Sequence, residues 1–234
     1  MPAPGGVHLD AIEVLTFDCY GTLIDWESGL LAGLRRVLGE RGSDEELLEA
    51  YARAEARLES GSWQAYRQVL RAALAEVAAA HGVKPTDEQS AAFAESVAEW
   101  PAFDDSVAAL GRLARNYRLG VITNCDDDLF SASNRRLGQP FSWVVTAEQV
   151  RAYKPSRRNF EAALERIGRP PETVLHVAQS LYHDHVPAKQ LGLTTAWIDR
   201  RHGRHGSGAT PAAAAQPDLV ATSLADFAAM ALGS

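Results

Sequence analysis

The side chain best placed to do chemistry is Asp18, which follows the apolar run Val14–Phe17 and precedes Tyr20, Gly21 and Thr22. A short apolar run stopped by an acid and a Gly-Thr turn is the pattern of a buried parallel strand reaching its carboxyl end. Ligands of open α/β sheets bind at that edge. A carboxylate held there attacks an electrophilic carbon or phosphorus and forms a covalent ester or acyl phosphate, provided the leaving group is stabilised. Tyr20 bears on which of the two is formed. Phosphoryl transfer calls for a second carboxylic acid to protonate a leaving alcohol, whereas a halide leaves without a proton. A phenol with a pKa of about 10 suits a pocket wall better than that acid.

The elements that must position Asp18 follow from the hydrophobic pattern. Strand-like runs recur at 119–123, 143–145, 174–178 and 195–198, with a last short one at 219–220, mostly alternating with helical segments. That alternation predicts an α/β fold, a Rossmann-like parallel sheet core flanked by helices. Between residues 26 and 100 the rhythm breaks, and Leu, Ala, Arg and Glu fall at helical spacing. Leu30, Leu31, Leu34 and Leu38 suit one amphipathic helix, residues 47–58 a second and residues 66–80 a third. The expected organisation is a core of residues 1–24 and 101–234 with an all-helical cap domain, 25–100, inserted after the first strand. Asp104 or Asp105 opens the helix that re-enters the core, and 203–216, rich in Gly, His and Ala, reads as a mobile excursion.

Bulk properties narrow the function classes. The chain has 234 residues and a formal net charge of −7, which argues against a nucleic-acid surface. No apolar run approaches the roughly 18 residues needed to cross a bilayer. The first residues carry neither a basic region nor an apolar segment, so no secretory signal is visible and a cytoplasmic location is expected. Cys19 and Cys125 read as small buried residues in a reducing compartment, with no metal-ligand spacing. A homodimer is compatible with the sequence, without a determinant for it.

Residues 17–23 resemble motif I of the haloacid dehalogenase superfamily, in the Asp-x-Tyr-Gly-Thr form of its type II L-2-haloacid dehalogenases rather than the Asp-x-Asp form of its phosphatases. The resemblance continues through Ile122-Thr123-Asn124 as motif II, Tyr153-Lys154-Pro155 as motif III and Ala178-Gln179-Ser180-Leu181-Tyr182-His183-Asp184 as motif IV. It implies Asp18 as nucleophile with Lys154 and Asp184 as its charged partners. It also implies a substrate-binding set of Tyr20, Thr22, Thr123, Asn124 and Ser180, which with backbone N–H groups near Gly21 would hold a carboxylate or an oxyanion. The dehalogenases supply an arginine from the first part of the cap, and Arg53 is the candidate here, with Arg57 nearby. Trp63 and Trp26 are candidate pocket walls.

The chain also departs from that pattern. Phe160 stands where the dehalogenases have a tyrosine, and Gln179, Leu181 and His183 change the polarity of motif IV. His183 or His185 is a candidate base, whereas His202 and His205 read as solvated loop residues. Tyr20 and Gln179 occupy positions where metal-dependent phosphatases carry acids, so the expectation is a site with no metal and no cofactor. The implied activity is hydrolytic dehalogenation of a short 2-haloalkanoic acid through an aspartyl ester, with a small carboxylic acid as substrate. The alternative is the same displacement with another leaving group, such as ring opening of a strained cyclic amino acid. A phosphatase ranks below both, and a non-catalytic binding protein is the reading from a different class.

Overall fold

The computed structural model describes residues 9–202 and 213–233. Six parallel strands form one sheet: β1 (Val14–Phe17), β2 (Arg118–Thr123), β3 (Trp143–Thr146), β4 (Val174–Ala178), β5 (Thr194–Ile198) and β6 (Leu219–Ala221). Their spatial order is β3-β2-β1-β4-β5-β6. The sequence direction reverses between β1 and β4, which is the switch point where such sheets open a crevice for ligands. Phe17 is in register with Val121 of β2 and Val177 of β4, so the carboxyl ends of these three strands lie side by side. Every residue of β1 and β4 is buried, as expected of central strands covered on both faces.

Alternation along the strands divides the core. Leu15 and Phe17 pack with Leu119 and Val121 on one face, while Val14 packs with Ile122, Val145 and Val174 on the other. The helical block after β1 holds α1 (Trp26–Leu38), α2 (Asp44–Glu59), α3 (Tyr66–Ala80) and α4 (Asp87–Glu95). The remaining helices are α5 (Ser106–Leu113), α6 (Asp127–Arg136), α7 (Ala147–Val150), α8 (Arg157–Ile167), α9 (Val186–Gln190) and α10 (Leu224–Leu232). Helices α5 and α10 cover the first face of the sheet, and α8 covers the second.

The helical block is delimited by local chemistry. Ser43 and Glu46 form a reciprocal capping box at the start of α2, as do Thr86 and Gln89 at α4, each worth about 1 kcal/mol. Helix α4 is absent from the sequence expectation because its short apolar stripe, Phe93 and Ala94, is too brief to show a period. The helices share one continuous apolar cluster with the sheet, joined through Leu23, Ile24, Trp26 and Trp100. Gly29 on α1 lies against Trp100, where a Cβ would stand 2.2 Å from Cδ1 of the ring. At the two chain crossings Ile24 pairs with Ala102 in an isolated antiparallel bridge.

Two further expectations are refined. Asp105 stands at the start of α5, but its carboxylate turns to Arg200 and to the backbone N–H groups of Leu224 and Ala225 at the start of α10. His202 is exposed and lies 3.4 Å from Asp199, while residues 203–212, His205 among them, lie outside the described residues.

Candidate active site

Asp18 leaves β1 with its backbone N–H donating to Val177 O of β4 at 3.1 Å. The chain then turns through Gly21, at φ 93°, where the Trp26 indole approaches so closely that a Cβ would lie 3.1 Å from Nε1. Glycine answers both demands. Thr22, fully buried beneath the turn, donates from Oγ1 to Asp18 Oδ2 at 2.6 Å and accepts from Gln179 N at 2.9 Å. The other carboxylate oxygen, Oδ1, accepts from Lys154 Nζ at 2.7 Å.

Lys154 is 2% exposed and its ammonium is fully spent. It donates to Asp18 Oδ1, to Asp184 Oδ1 at 2.7 Å and to Ile122 O at 2.9 Å. Burial would lower the pKa of a lone amine, but Asp18 and Asp184 outweigh it and keep the lysine charged above its ordinary range. Burial also pushes the Asp18 carboxyl up, against the pull of Lys154. Asp184 goes the other way: burial is outweighed by Lys154 and by a 3.0 Å bond from His176 Nε2, so its carboxyl sits below the usual carboxylate range. Asp184 Oδ2 is buried and has no hydrogen-bond partner.

A cavity opens over these groups. Its walls are Asp18, Lys154, Asp184, Gln179, Ser180 and His183 from the sheet edge, with Asn124 and Tyr20 beside them. Trp26, Glu55, Glu59 and Tyr66 close it from the helical block. Asn124 clamps the Lys154 backbone, accepting from its N–H at 2.7 Å and donating to its carbonyl at 3.1 Å, and donates further to Glu59 at 3.3 Å. The Tyr20 ring faces the cavity and packs edge-on against Trp100, with its hydroxyl bonded away from the cavity to Ser133 at 3.0 Å. Ser180 caps the π-helical turn Leu181–His185, accepting from His183 N at 2.9 Å.

The structure thus brings Asp18, Lys154, Asp184, Tyr20, Asn124 and Ser180 of the sequence-predicted set to one cavity. Four others fall elsewhere. Thr22 is sealed behind Asp18 and touches the carboxylate rather than the open space. Thr123 is fully buried at the end of β2, outside the lining, with Oγ1 unpartnered. Arg53 points to solvent, its side chain 69% exposed and 3.4 Å from Glu49, because it is two residues off the buried face of α2. Trp63 is half-buried away from the cavity, its ring 4.2 Å beneath the Arg151 guanidinium. Arg57, the other cap arginine, pairs with Glu76 on the outside.

Sequence reading missed several residues at or beside the site, Tyr66 among them. Glu55 and Glu59 lie on the same face of α2 as Leu47 and Tyr51, at strict four-residue intervals, and that spacing was the available signal. His176 sits inside β4, bonded to Thr16 Oγ1 through Nδ1 at 3.0 Å and to Asp184 through Nε2, with Phe160 edge-on at 5.0 Å. Phe160 therefore supplies a packing surface for that imidazole. Of the two candidate bases, His183 lines the cavity, with burial lowering its pKa to about 4. His185 is buried against Ala178 O, outside the lining.

The donor set does not fit a magnesium ion. The place between the two carboxylates is taken by the Lys154 ammonium, and Gln179 offers an amide where a third acid would be needed. Among the described residues no group of three His, Cys, Asp or Glu side chains is arranged to hold a metal. No described helix is long and apolar enough to cross a membrane.

A parallel sheet of this order, carrying a carboxylate at the end of β1 and a lysine bridging it to an acid beyond β4, defines a class of hydrolase. The chain belongs to the haloacid dehalogenase-like hydrolases, whose family pattern matches residues 12–192. Within that class it is similar to an (S)-2-haloacid dehalogenase of Pseudomonas putida, 26% identical over 198 residues that cover 82% of this chain and 86% of that one. Its fold is shared with the L-2-haloacid dehalogenase from Xanthobacter autotrophicus, solved also with chloropropionic acid covalently bound. The TM-score is 0.81 at 22% identity, over 95% of this chain and 99% of the other. A pyrimidine 5'-nucleotidase of Escherichia coli is 30% identical, but over 45% of this chain and 48% of its own length.

Proposed function

We propose that the protein hydrolyses a small carboxylic acid, with short 2-haloalkanoic acids as the first substrates to test, by displacement at C2 through an ester on Asp18 and without a metal ion. The observation that carries the reading is the 2.7 Å contact of Asp18 with the buried Lys154 ammonium at the cavity wall. Lys154 favours the ionised nucleophile, while burial strips the carboxylate of the water that would blunt its attack. In the first step an Asp18 oxygen bonds to C2 as the carbon–halogen bond breaks, and the halide leaves with the bonding pair. In the second, water attacks Cγ of the ester. The acyl–oxygen bond breaks, releasing a 2-hydroxy acid and restoring the carboxylate.

The second step suits Asp184, a carboxylate kept ionised that shares Lys154 with Asp18 at the cavity wall, as the group that holds the water. Thr22 and Lys154 point N–H and O–H donors at the oxygens where negative charge collects. The covalent chloropropionic acid complex of the Xanthobacter enzyme supports an ester of this kind. Substrate entry requires the helical block to part from the core. The contacts that yield are Asp126, which accepts from Tyr66 N and Arg67 N at the start of α3, and Tyr153, which donates to Gln64 O. The cytoplasm is the proposed setting, in keeping with two buried, free thiols.

A single-turnover reaction in oxygen-18 water, with enzyme in excess over 2-chloropropanoate, tests the order of steps. Label in Asp18 and unlabelled first product is the expected result, and label in the first product refutes the ester. The Asp18→Asn variant is expected to lose halide release by at least about 10⁴-fold.

A further inference from the structure

Helix α2 presents Leu47, Tyr51, Glu55 and Glu59 along one line, so that a stripe which begins in the apolar core ends in two acids at the cavity wall. Glu55 is 8% exposed; its Oε1 accepts from Tyr51 Oη at 3.1 Å and from Tyr66 Oη at 2.9 Å. Glu59 accepts from Asn124 at 3.3 Å. Neither forms an ion pair with any described residue. Burial of such acids raises their pKa values, Glu55 to about 7 and Glu59 well above the ordinary carboxylate range.

Counting donors and acceptors around the cavity exposes an imbalance. Four carboxylates line it, those of Asp18, Glu55, Glu59 and Asp184, against the single ammonium of Lys154. All three of that ammonium's N–H groups are already donated, and the Asn124 amide is spent on Glu59 and on Lys154 O. Asp184, on a side chain 1% exposed, lines the same cavity and carries one carboxylate oxygen, Oδ2, without a hydrogen-bond partner. The cap arginines face outward to Glu49 and Glu76. Burial holds both acids toward their protonated form while no cation faces them, and an anionic group brought against α2 would hold them there. A positively charged nitrogen would draw both acids into the ionised form and donate to them, and the rings of Trp26, Tyr20 and Tyr66 would shield it from water.

We infer that Glu55 and Glu59 form a cation subsite on the α2 side of the cavity. The substrate is accordingly a small carboxylic acid that also bears an ammonium group, held with the nitrogen toward α2 and the reacting carbon toward Asp18. The inference deepens the proposed function and rests on it only for the position of the reacting carbon. The subsite itself rests on the cavity lining alone. It replaces the anion-attracting arginine expected from the sequence with its electrostatic opposite, and so separates this site from one built for a plain haloacid.

Unreactive probes test the subsite without any turnover. Calorimetric titration of the intact chain with 3-aminopropanoate and 4-aminobutanoate is compared with butanoate and pentanoate, which put a methyl group in place of the ammonium. The amino acids are expected to bind at least about tenfold more tightly. The preference should shrink toward unity in the Glu55→Gln/Glu59→Gln protein, or fall by about half on a logarithmic scale in Glu59→Gln alone should the double variant not fold. Equal binding, tighter binding of the plain acids, no binding of any of the four, or a preference that survives both substitutions overturns the inference. Chloride release from 3-amino-2-chloropropanoate and 2-chloropropanoate is measured alongside. A binding preference without release from either compound leaves the subsite standing and removes the displacement reaction instead.

Discussion

Lys154 Nζ lies 2.7 Å from Asp18 Oδ1 and 2.7 Å from Asp184 Oδ1, so a single buried ammonium compensates two carboxylates that come from opposite sides of the sheet's switch point. Three charges in one dry place are stable only as a set. Removing the cation leaves two uncompensated acids, a loss that costs about 3–5 kcal/mol when a buried pair is broken. Lys154→Met is therefore expected to lower unfolding free energy by that order in urea denaturation, and to abolish turnover. Lys154→Arg is not expected to restore activity, because a planar guanidinium cannot donate to Asp18, Asp184 and Ile122 O from one point.

Thr22 touches the Asp18 carboxylate and not the open cavity. Its hydroxyl fixes Asp18 Oδ2 at 2.6 Å while taking a bond from Gln179 N, which ties the β1 turn to the end of β4. Thr22→Val keeps the shape and removes both bonds. We expect kcat to fall about tenfold with KM nearly unchanged, since a lost bond of this kind is worth about 1–2 kcal/mol. A change confined to KM would show that the hydroxyl binds substrate after all.

Glu55 links stability to pH in an unusual direction. Its folded-state pKa is raised from 4.5 to about 7 by burial, so the folded protein holds a proton that the unfolded chain releases. Stability from this group is full below pH 4.5 and is lost as pH rises toward 7. Its size is about 3 kcal/mol. Thermal denaturation of Glu55→Gln should show a smaller decline between pH 5 and 8 than the parent chain. An unchanged pH profile would show that Glu55 is not the group responsible.

The proposed metal-free reaction is tested by exhaustive chelation. Activity is expected to persist after dialysis against a chelator and to be unaltered by added Mg²⁺. Loss of activity on chelation with recovery on Mg²⁺ would refute the metal-free mechanism. Generic phosphomonoesters should be hydrolysed poorly under both conditions, because Tyr20 holds its hydroxyl against Ser133 and offers no acid to a leaving alcohol.

Much of this molecule is legible in its sequence. The strands Val14–Phe17 and Val174–Ala178 stand where largely apolar runs predict them, because strands buried on both faces begin and end on apolar residues. Asp18, Lys154 and Asp184 are equally legible, since each follows an apolar segment or precedes a helix at a marked position. Other positions deceived for identifiable reasons. Arg53 satisfies a count along the chain, but a helix turns by about 100° per residue, and a two-residue offset from Tyr51 puts it in solvent. Thr22 and Thr123 sit beside the right neighbours in sequence, yet burial commits one to Asp18 and seals the other at the end of β2, outside the cavity.

Sequence by itself determined the parallel sheet, the helical insertion and the place of Asp18 at the strand end, because these depend on local period and on residues adjacent in the chain. Only the tertiary structure decided the charge of the cavity. Glu55 and Glu59 lie more than thirty positions from Asp18 and reach it through the packing of α2 over the strand ends, and His176 meets Asp184 through a turn that brings Nε2 to within 3.0 Å. Electrostatic character is a sum over groups converging in space. No reading along one dimension could perform that sum before the fold had chosen which side chains face one another.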